Sequence, residues 1–160
     1  MKKVNVYTDG ACRGNPGCGG YGVVLEYNGI EKELSKGYLR TTNNRMELMA
    51  EITGLEALKE PCEVTLYSDS KYLVDAVTLG WAKGWEKKNW RKSDGKTALN
   101  IDLWQKLLKL LSIHKTTLIW VKGHNGHKYN ERCDILATTA ADGNDLAEDE
   151  EYIKLELEGK

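Results

Sequence analysis

Two aspartates stand where short apolar runs stop. Lys3 to Thr8 alternates in hydrophobicity and ends in Asp9-Gly10, and Glu63 to Ser68 ends in Asp69-Ser70. If these runs are neighbouring parallel strands, both carboxylates leave one sheet edge roughly 5 Å apart. That is the C-terminal edge, where open α/β sheets place their ligands. Two carboxylates so close repel, so one keeps a proton or both share a cation. Oxygen-only ligation suits magnesium or manganese better than zinc. Glu47, in the first turn of a helix, and Asp134, on the last helix, are further acids within this chemistry. Each also has a plain reading: a turn at Asp9-Gly10, an N-cap at Asp69, a dipole complement at Glu47, a solvated acid at Asp134. Spacing alone does not assemble the four.

The elements that must position them follow from periodicity. Tyr21 to Tyr27 and Glu31 to Leu39 are β-rich runs joined at Asn28-Gly29, a strong hairpin signal. Gly10 to Gly22 holds six of the sixteen glycines and reads as a tight loop. Met46, Leu48, Met49, Ile52, Leu55 and Leu58 recur at helical spacing from about Asn44 to Lys59, with Thr42 or Asn43 as cap. Lys71 to Leu79 predicts a short helix, Asn100 to Ser112 an amphipathic one, Thr116 to Val121 a last strand and Asn130 to Ala141 a final helix. The order β-β-β-α-β-α-α-β-α gives an antiparallel meander, then crossovers that imply parallel pairing. The expectation is an α/β domain on a five-stranded mixed sheet flanked by helices.

Composition narrows the function classes. The 160 residues are 41% hydrophobic and 29% charged, ordinary for a globular domain. No apolar stretch approaches the ~20 residues of a membrane span, and Met1 to Val6 lacks a signal-peptide core, so a cytoplasmic, soluble monomer is expected. The four cysteines fit neither a disulfide framework nor a paired zinc site. The net charge of −1 conceals two opposite blocks. From Lys83 to Lys96, six basic residues face only Glu86 and Asp94; from Asp142 to Lys160, eight acids face only Lys154 and Lys160. The acidic stretch, residues 143–160, is expected to be a flexible tail outside a 1–142 catalytic domain.

Ordered motifs then carry a resemblance. Thr8-Asp9-Gly10-Ala11-Cys12, Asn15-Pro16-Gly17-Cys18-Gly19-Gly20-Tyr21-Gly22 and Thr41-Thr42-Asn43-Asn44-Arg45-Met46-Glu47-Leu48 are followed by Ser68-Asp69-Ser70, Val121-Lys122-Gly123-His124 and Asn130-Glu131-Arg132-Cys133-Asp134. In order and spacing this series resembles type 1 ribonuclease H of the bacterial kind. The resemblance runs from Val4 to about Ala141. It implies the ribonuclease H-like fold, and hydrolysis of the RNA strand of RNA–DNA hybrids to 5′-phosphate and 3′-hydroxyl ends. It makes Asp9, Glu47, Asp69 and Asp134 both catalytic and metal-binding, for two Mg²⁺ ions with Mn²⁺ as substitute, Asp9 bridging them. His124, set in a polar loop, becomes a group that moves protons or releases product, work that a free pKa near 6.5 suits. A junction resolvase or integrase of the same fold and a non-catalytic hybrid-binding module are the rivals. The groove residues argue against the first and the intact acids against the second.

The resemblance also implies the substrate contacts. Cys12, Asn15, Asn43 and Asn44 are groove contacts, and Thr42 with Asn15 holds a phosphate of the DNA strand. Lys71 departs from the bacterial pattern, which commonly has a glutamine here that touches RNA; a lysine cannot accept a hydrogen bond. Trp81, Trp85 and Trp90 interleave with Lys87 and Lys88 in a basic protrusion, about 80–96, expected to grip the DNA strand, although at least one of the tryptophans reads equally as core. Each phosphate neutralised steepens the salt dependence of binding by roughly 0.7–0.9 log units per log salt. Replacing Lys87 and Lys88 with Ala is therefore expected to raise KM at low salt and flatten that slope, measured as KM on a hybrid between low and moderate salt. An unchanged slope would make the stretch a solvated helix face.

Overall fold

The computed structural model describes residues 1–122 and 127–159. Three antiparallel strands open the chain: β1 (Lys3–Arg13), β2 (Gly17–Tyr27) and β3 (Ile30–Thr41). Helix α1 (Asn43–Glu56), strand β4 (Glu63–Ser68), helices α2 (Lys71–Thr78), α3 (Trp81–Lys87) and α4 (Ile101–Ile113), strand β5 (Lys115–Trp120) and helix α5 (Lys128–Ala141) follow. The chain then adds a two-residue strand, β6 (Leu146–Ala147), and helix α6 (Glu150–Glu158). The glycine-rich stretch expected as a loop is mostly strand, because β1 and β2 run on through it and pair as far as Arg13 with Cys18.

The sheet has six strands rather than the expected five, in the order β5-β4-β1-β2-β3-β6. The sixth forms because the segment after α5 comes back parallel to β3, pairing Gly37 with Leu146 and Tyr38 with Ala147. One face carries Val4, Val6, Val23 and Leu25 against Leu48, Ile52 and Leu55 of α1, and Leu103, Trp104 and Leu107 of α4 extend that core. The other face stacks Tyr7 on Tyr67 and Tyr129, with Val24 and Cys133 beneath α5. Each buried leucine or valine contributes roughly 1.5–3 kcal/mol.

Helix α1 starts where Thr42 accepts a hydrogen bond from the Arg45 N–H at 3.3 Å. It lies unusually close to β1. A Cβ on Gly10 would stand 2.6 Å from the Glu47 backbone nitrogen, so only glycine lets the helix approach. On the opposite face, a Cβ on Gly22 would collide with the Cys133 carbonyl, and its absence brings α5 down onto the sheet.

The segment expected to be a flexible tail is folded onto the domain. Asp149 is buried, its carboxylate 2.7 Å from Nε of the fully buried Arg45, and it accepts the Thr41 hydroxyl at 2.7 Å. The other edge of the guanidinium meets Asp102 at 2.8 and 2.9 Å. A count of charges missed this, because one buried acid outweighs its seven exposed or half-buried neighbours in deciding whether the segment docks. Removing one partner of a buried pair costs about 3–5 kcal/mol. Asp149→Ala is expected to lose stability of that order in denaturant unfolding and to free the α6 amides to hydrogen exchange. Wild-type protection in α6 would contradict it.

Helix α1 also buries Glu51 completely, with neither carboxylate oxygen hydrogen-bonded among the described residues. Burial pushes its pKa from 4.5 up to about 8. The unfolded chain ionises this group first, so folding loses stability as pH rises above about 4.5, in full beyond about 8. At pH 7 the penalty is about 3 kcal/mol. Glu51→Leu is expected to stabilise by about 3 kcal/mol more at pH 7 than below about pH 4.5, where the carboxyl is protonated in both folded and unfolded chain. Equal gains at both pH values, measured by denaturant unfolding, would contradict it.

Candidate active site

Strands β1 and β4 are parallel and in register through Thr8 opposite Ser68. Asp9 and Asp69 are the next residue on each, so the two carboxylates meet at one edge, as their positions at the ends of apolar runs predict. Glu47 reaches them from α1 across the gap that Gly10 leaves open. Ligand oxygens of Asp9, Glu47 and Asp69 all lie within 4.8 Å of one another. Asp9 and Glu47 are each 5% exposed, and Asp69 is half-buried. Ser70, not Asp69, caps α2, accepting the Leu73 N–H at 3.3 Å. That leaves the Asp69 carboxylate outside the capping role.

The electrostatics record the crowding. Desolvation first, then the charges of Asp69 and Asp134 and a hydrogen bond with Asp69, push Asp9 from 3.8 up to about 8, although the Gly10 N–H donates to its Oδ1 at 2.8 Å. Burial, then Asp9 and Asp69, raises Glu47 well above the ordinary carboxyl range. The Glu47 Oε2 atom is buried without a hydrogen-bond partner among the described residues. A buried orphaned oxygen beside two further carboxylates, with no nitrogen or sulfur donor in the group, fits a hard divalent cation. Asp134, on the first half of α5, is half-buried and near enough to act on Asp9, but it lies outside the 4.8 Å group. His124 lies outside the described residues.

The residues expected to touch substrate spread over two surfaces. The Cys12 Sγ lies 2.7 Å from the Gly14 carbonyl oxygen and 3.4 Å from that of Thr41, either of which can accept its one proton, bracing the turn at 14–16. Asn15 on that turn accepts the Asn43 N–H at 3.0 Å, which ties it to the first turn of α1, where Thr42, Asn43 and Asn44 reside. In the basic stretch, Trp81 and Trp85 line a cavity of about 430 Å³ with Tyr72, Lys88, Arg91 and Lys92. Lys87 is exposed on α3. Trp90 is 8% exposed and packs in the main core, so its ring is not offered to a ligand as expected; Trp85 is partly committed too, its ring edge-on to Trp104 at 5.8 Å.

Lys71 sits over the ring of Trp120 at 5.4 Å and pairs with Asp75 at 3.1 Å. The Trp120 indole N–H donates to the Asp69 carbonyl oxygen at 3.2 Å, bracing the turn that carries the acid. Sequence reading passed over Trp120. Its in-register place beside Ser68, one strand further out, is the signal that would have found it.

Comparison with known proteins agrees with this geometry. The RNase H family profile matches residues 1–142. A ribonuclease H of Rippkaea orientalis is 58% identical over 151 residues, covering 94% of this chain and 93% of that protein. A ribonuclease H of Lachnoclostridium phytofermentans is 58% identical over 153 residues, covering 92% and 97%. Among solved structures, LC9-RNase H1, described as a type 1 RNase H with the type 2 active-site motif, superimposes with a TM-score of 0.79 at 34% identity, over 88% of this chain and 72% of that one. With a matching profile, close relatives along nearly its whole length and the same fold, the chain belongs to the RNase H family.

Proposed function

We propose that the protein is an endonuclease that hydrolyses the RNA strand of RNA–DNA hybrids, using Mg²⁺ or, as a substitute, Mn²⁺. The observation that carries this reading is the meeting of Asp9, Glu47 and Asp69 within 4.8 Å at one sheet edge, with an orphaned oxygen on Glu47. Asp9, Glu47 and Asp69, with Asp134 beside them, would hold the ions. When bound, two divalent ions supply an activated water and a sink for the charge that develops on the phosphate and the leaving 3′-oxygen. The family depends on such a metal, and this donor set accommodates it.

The chain's own groups do the rest. Burial around Asp9 and Glu47 excludes bulk water and stiffens the site. His124, which follows β5 in the sequence, would move a proton or release product. Cys12, Asn15, Thr42, Asn43 and Asn44 would lie along the minor groove of the hybrid, where small polar groups meet 2′-hydroxyls and sugars. Lys71 would offer charge rather than an acceptor to the RNA strand. Trp81, Trp85, Lys87 and Lys88 would form the DNA-strand surface. The enzyme would act as a cytoplasmic monomer, with the protrusion at 80–96 gripping the DNA strand.

Labelled RNA–DNA hybrid, double-stranded RNA and double-stranded DNA, each offered with magnesium or with chelator, test the assignment. Only the hybrid with magnesium is expected to be cut, leaving 5′-phosphate ends. Asp9→Asn is expected to abolish cutting while hybrid binding survives, because the neutral amide cannot hold the ions yet adds no charge against phosphate. Near-normal turnover in that variant would remove Asp9 from the metal site. In the same assay His124→Ala is expected to lower kcat by about 10²–10⁴-fold, the usual worth of general acid–base help, with magnesium affinity unchanged. A loss of magnesium affinity in calorimetric titration would make His124 a ligand instead.

A further inference from the structure

Three residues expected along the groove of the hybrid, Thr42, Asn43 and Asn44, are exposed or half-buried, and they lie between two buried side chains, Thr41 and Arg45. Little packing holds such a stretch by itself. Thr42 has the extended backbone of a helix cap, and its hydroxyl oxygen meets the Arg45 N–H at a long 3.3 Å. The flanks are held more firmly, and by one group. The Asp149 carboxylate accepts the Thr41 hydroxyl at 2.7 Å, Arg45 Nε at 2.7 Å and Arg45 Nη2 at 3.1 Å. All three residues are buried, so water competes little for these bonds. Asp149 is itself fixed, because it caps α6 and accepts the Tyr152 N–H at 3.3 Å. One carboxylate, from a segment beyond the stretch that the family profile matches, thus closes a bracket around the turn. One arm ends on the last residue of β3 and the other on the third residue of α1.

We propose that Asp149 is a positioning residue for substrate: by gripping Thr41 and Arg45 at once, it sets Thr42, Asn43 and Asn44 in the conformation that receives the hybrid. The inference rests on the hybrid-nuclease reading and adds to it a residue that touches neither substrate nor metal. A turn that is set before the substrate arrives loses less freedom when it binds. Neither Thr41, Arg45 nor Asp149 belongs to the group of acids within 4.8 Å at the sheet edge, so the bracket acts on affinity rather than on the chemical step. The charge of Asp149 works against a polyanion. Any help it gives to binding therefore comes through geometry.

That opposition of sign makes the test. Affinity for a short RNA–DNA hybrid is read by fluorescence anisotropy in chelator, where nothing is cut, at a temperature where circular dichroism shows each variant folded. Asp149→Asn keeps the shape but turns amide protons toward donors, which opens the bracket. On charge alone, removing an acid tightens binding to nucleic acid. The bracket predicts the reverse, a weakening of about tenfold, the scale of ordering one or two side chains on binding. Thr41→Val deletes one arm and leaves the Arg45–Asp149 pair intact, so it decides the matter if Asp149→Asn does not fold; it is expected to weaken binding about threefold or more. Thr41→Ser restores the hydroxyl and is expected to bind within about twofold of wild type. In magnesium, kcat at saturating hybrid and the calorimetric affinity for the metal are expected to stay at wild-type values in all three variants. Wild-type or tighter binding by Thr41→Val, or a fall in kcat with affinity for the hybrid unchanged, overturns the bracket and leaves the nuclease reading standing. Failure of the wild type to bind any hybrid overturns both.

Discussion

Mutual repulsion of carboxylates in a space from which water is largely excluded is the constraint on which this structure depends. Asp9, Glu47 and Asp69 cannot all be ionised at this spacing without a cation. They are held by backbone: two parallel strands in register, and a helix seated one glycine away from β1. Desolvation and like charge then keep protons on Asp9 and Glu47. That is the cost of a cation site built before the cation arrives. Preorganisation of this sort lets chemistry begin without the site first having to assemble.

Charge elsewhere is arranged around that centre. The protrusion carries a basic surplus next to exposed or half-buried indole rings, which suits a backbone of phosphates and stacked bases. The C-terminal segment carries the opposite surplus, and an acidic block near a nucleic-acid surface would repel it. The structure limits this by burying Asp149 against Arg45 and pairing Glu156 with Arg40, which turns part of the surplus into docking energy for α6. One guanidinium thus ties the N-terminal turn of α1, the start of α4 and the C-terminal helix into a single framework.

What could be read from the sequence follows from which interactions are local. Asp9 and Asp69 were legible as a pair because both end apolar runs, and parallel pairing follows from the helix between them. The hairpin at Asn28-Gly29 and the cap at Thr42 are local chemistry and stand as expected. The sixth strand was not legible, since Leu146-Ala147 has no strand pattern of its own and pairs only because β3 offers an edge. Arg45 is charged and yet fully buried, because its partners Asp102 and Asp149 come from far along the chain, which no local pattern announces. Trp90 shows the same limit: interleaved lysines suggest a surface, while the ring packs in the core. The glycine-rich stretch misled for a related reason, because those glycines serve close approach of helices to strands more than turning.

The central claim is that the acids form a cation site whose protons must leave when metal enters. Calorimetric titration with magnesium at pH 7, repeated in buffers of different ionisation enthalpy, counts those protons directly. With Asp9 pushed up to about 8, proton release on binding is predicted, together with an affinity that rises as pH approaches 8. Magnesium binding with no proton release and no pH dependence would contradict the account.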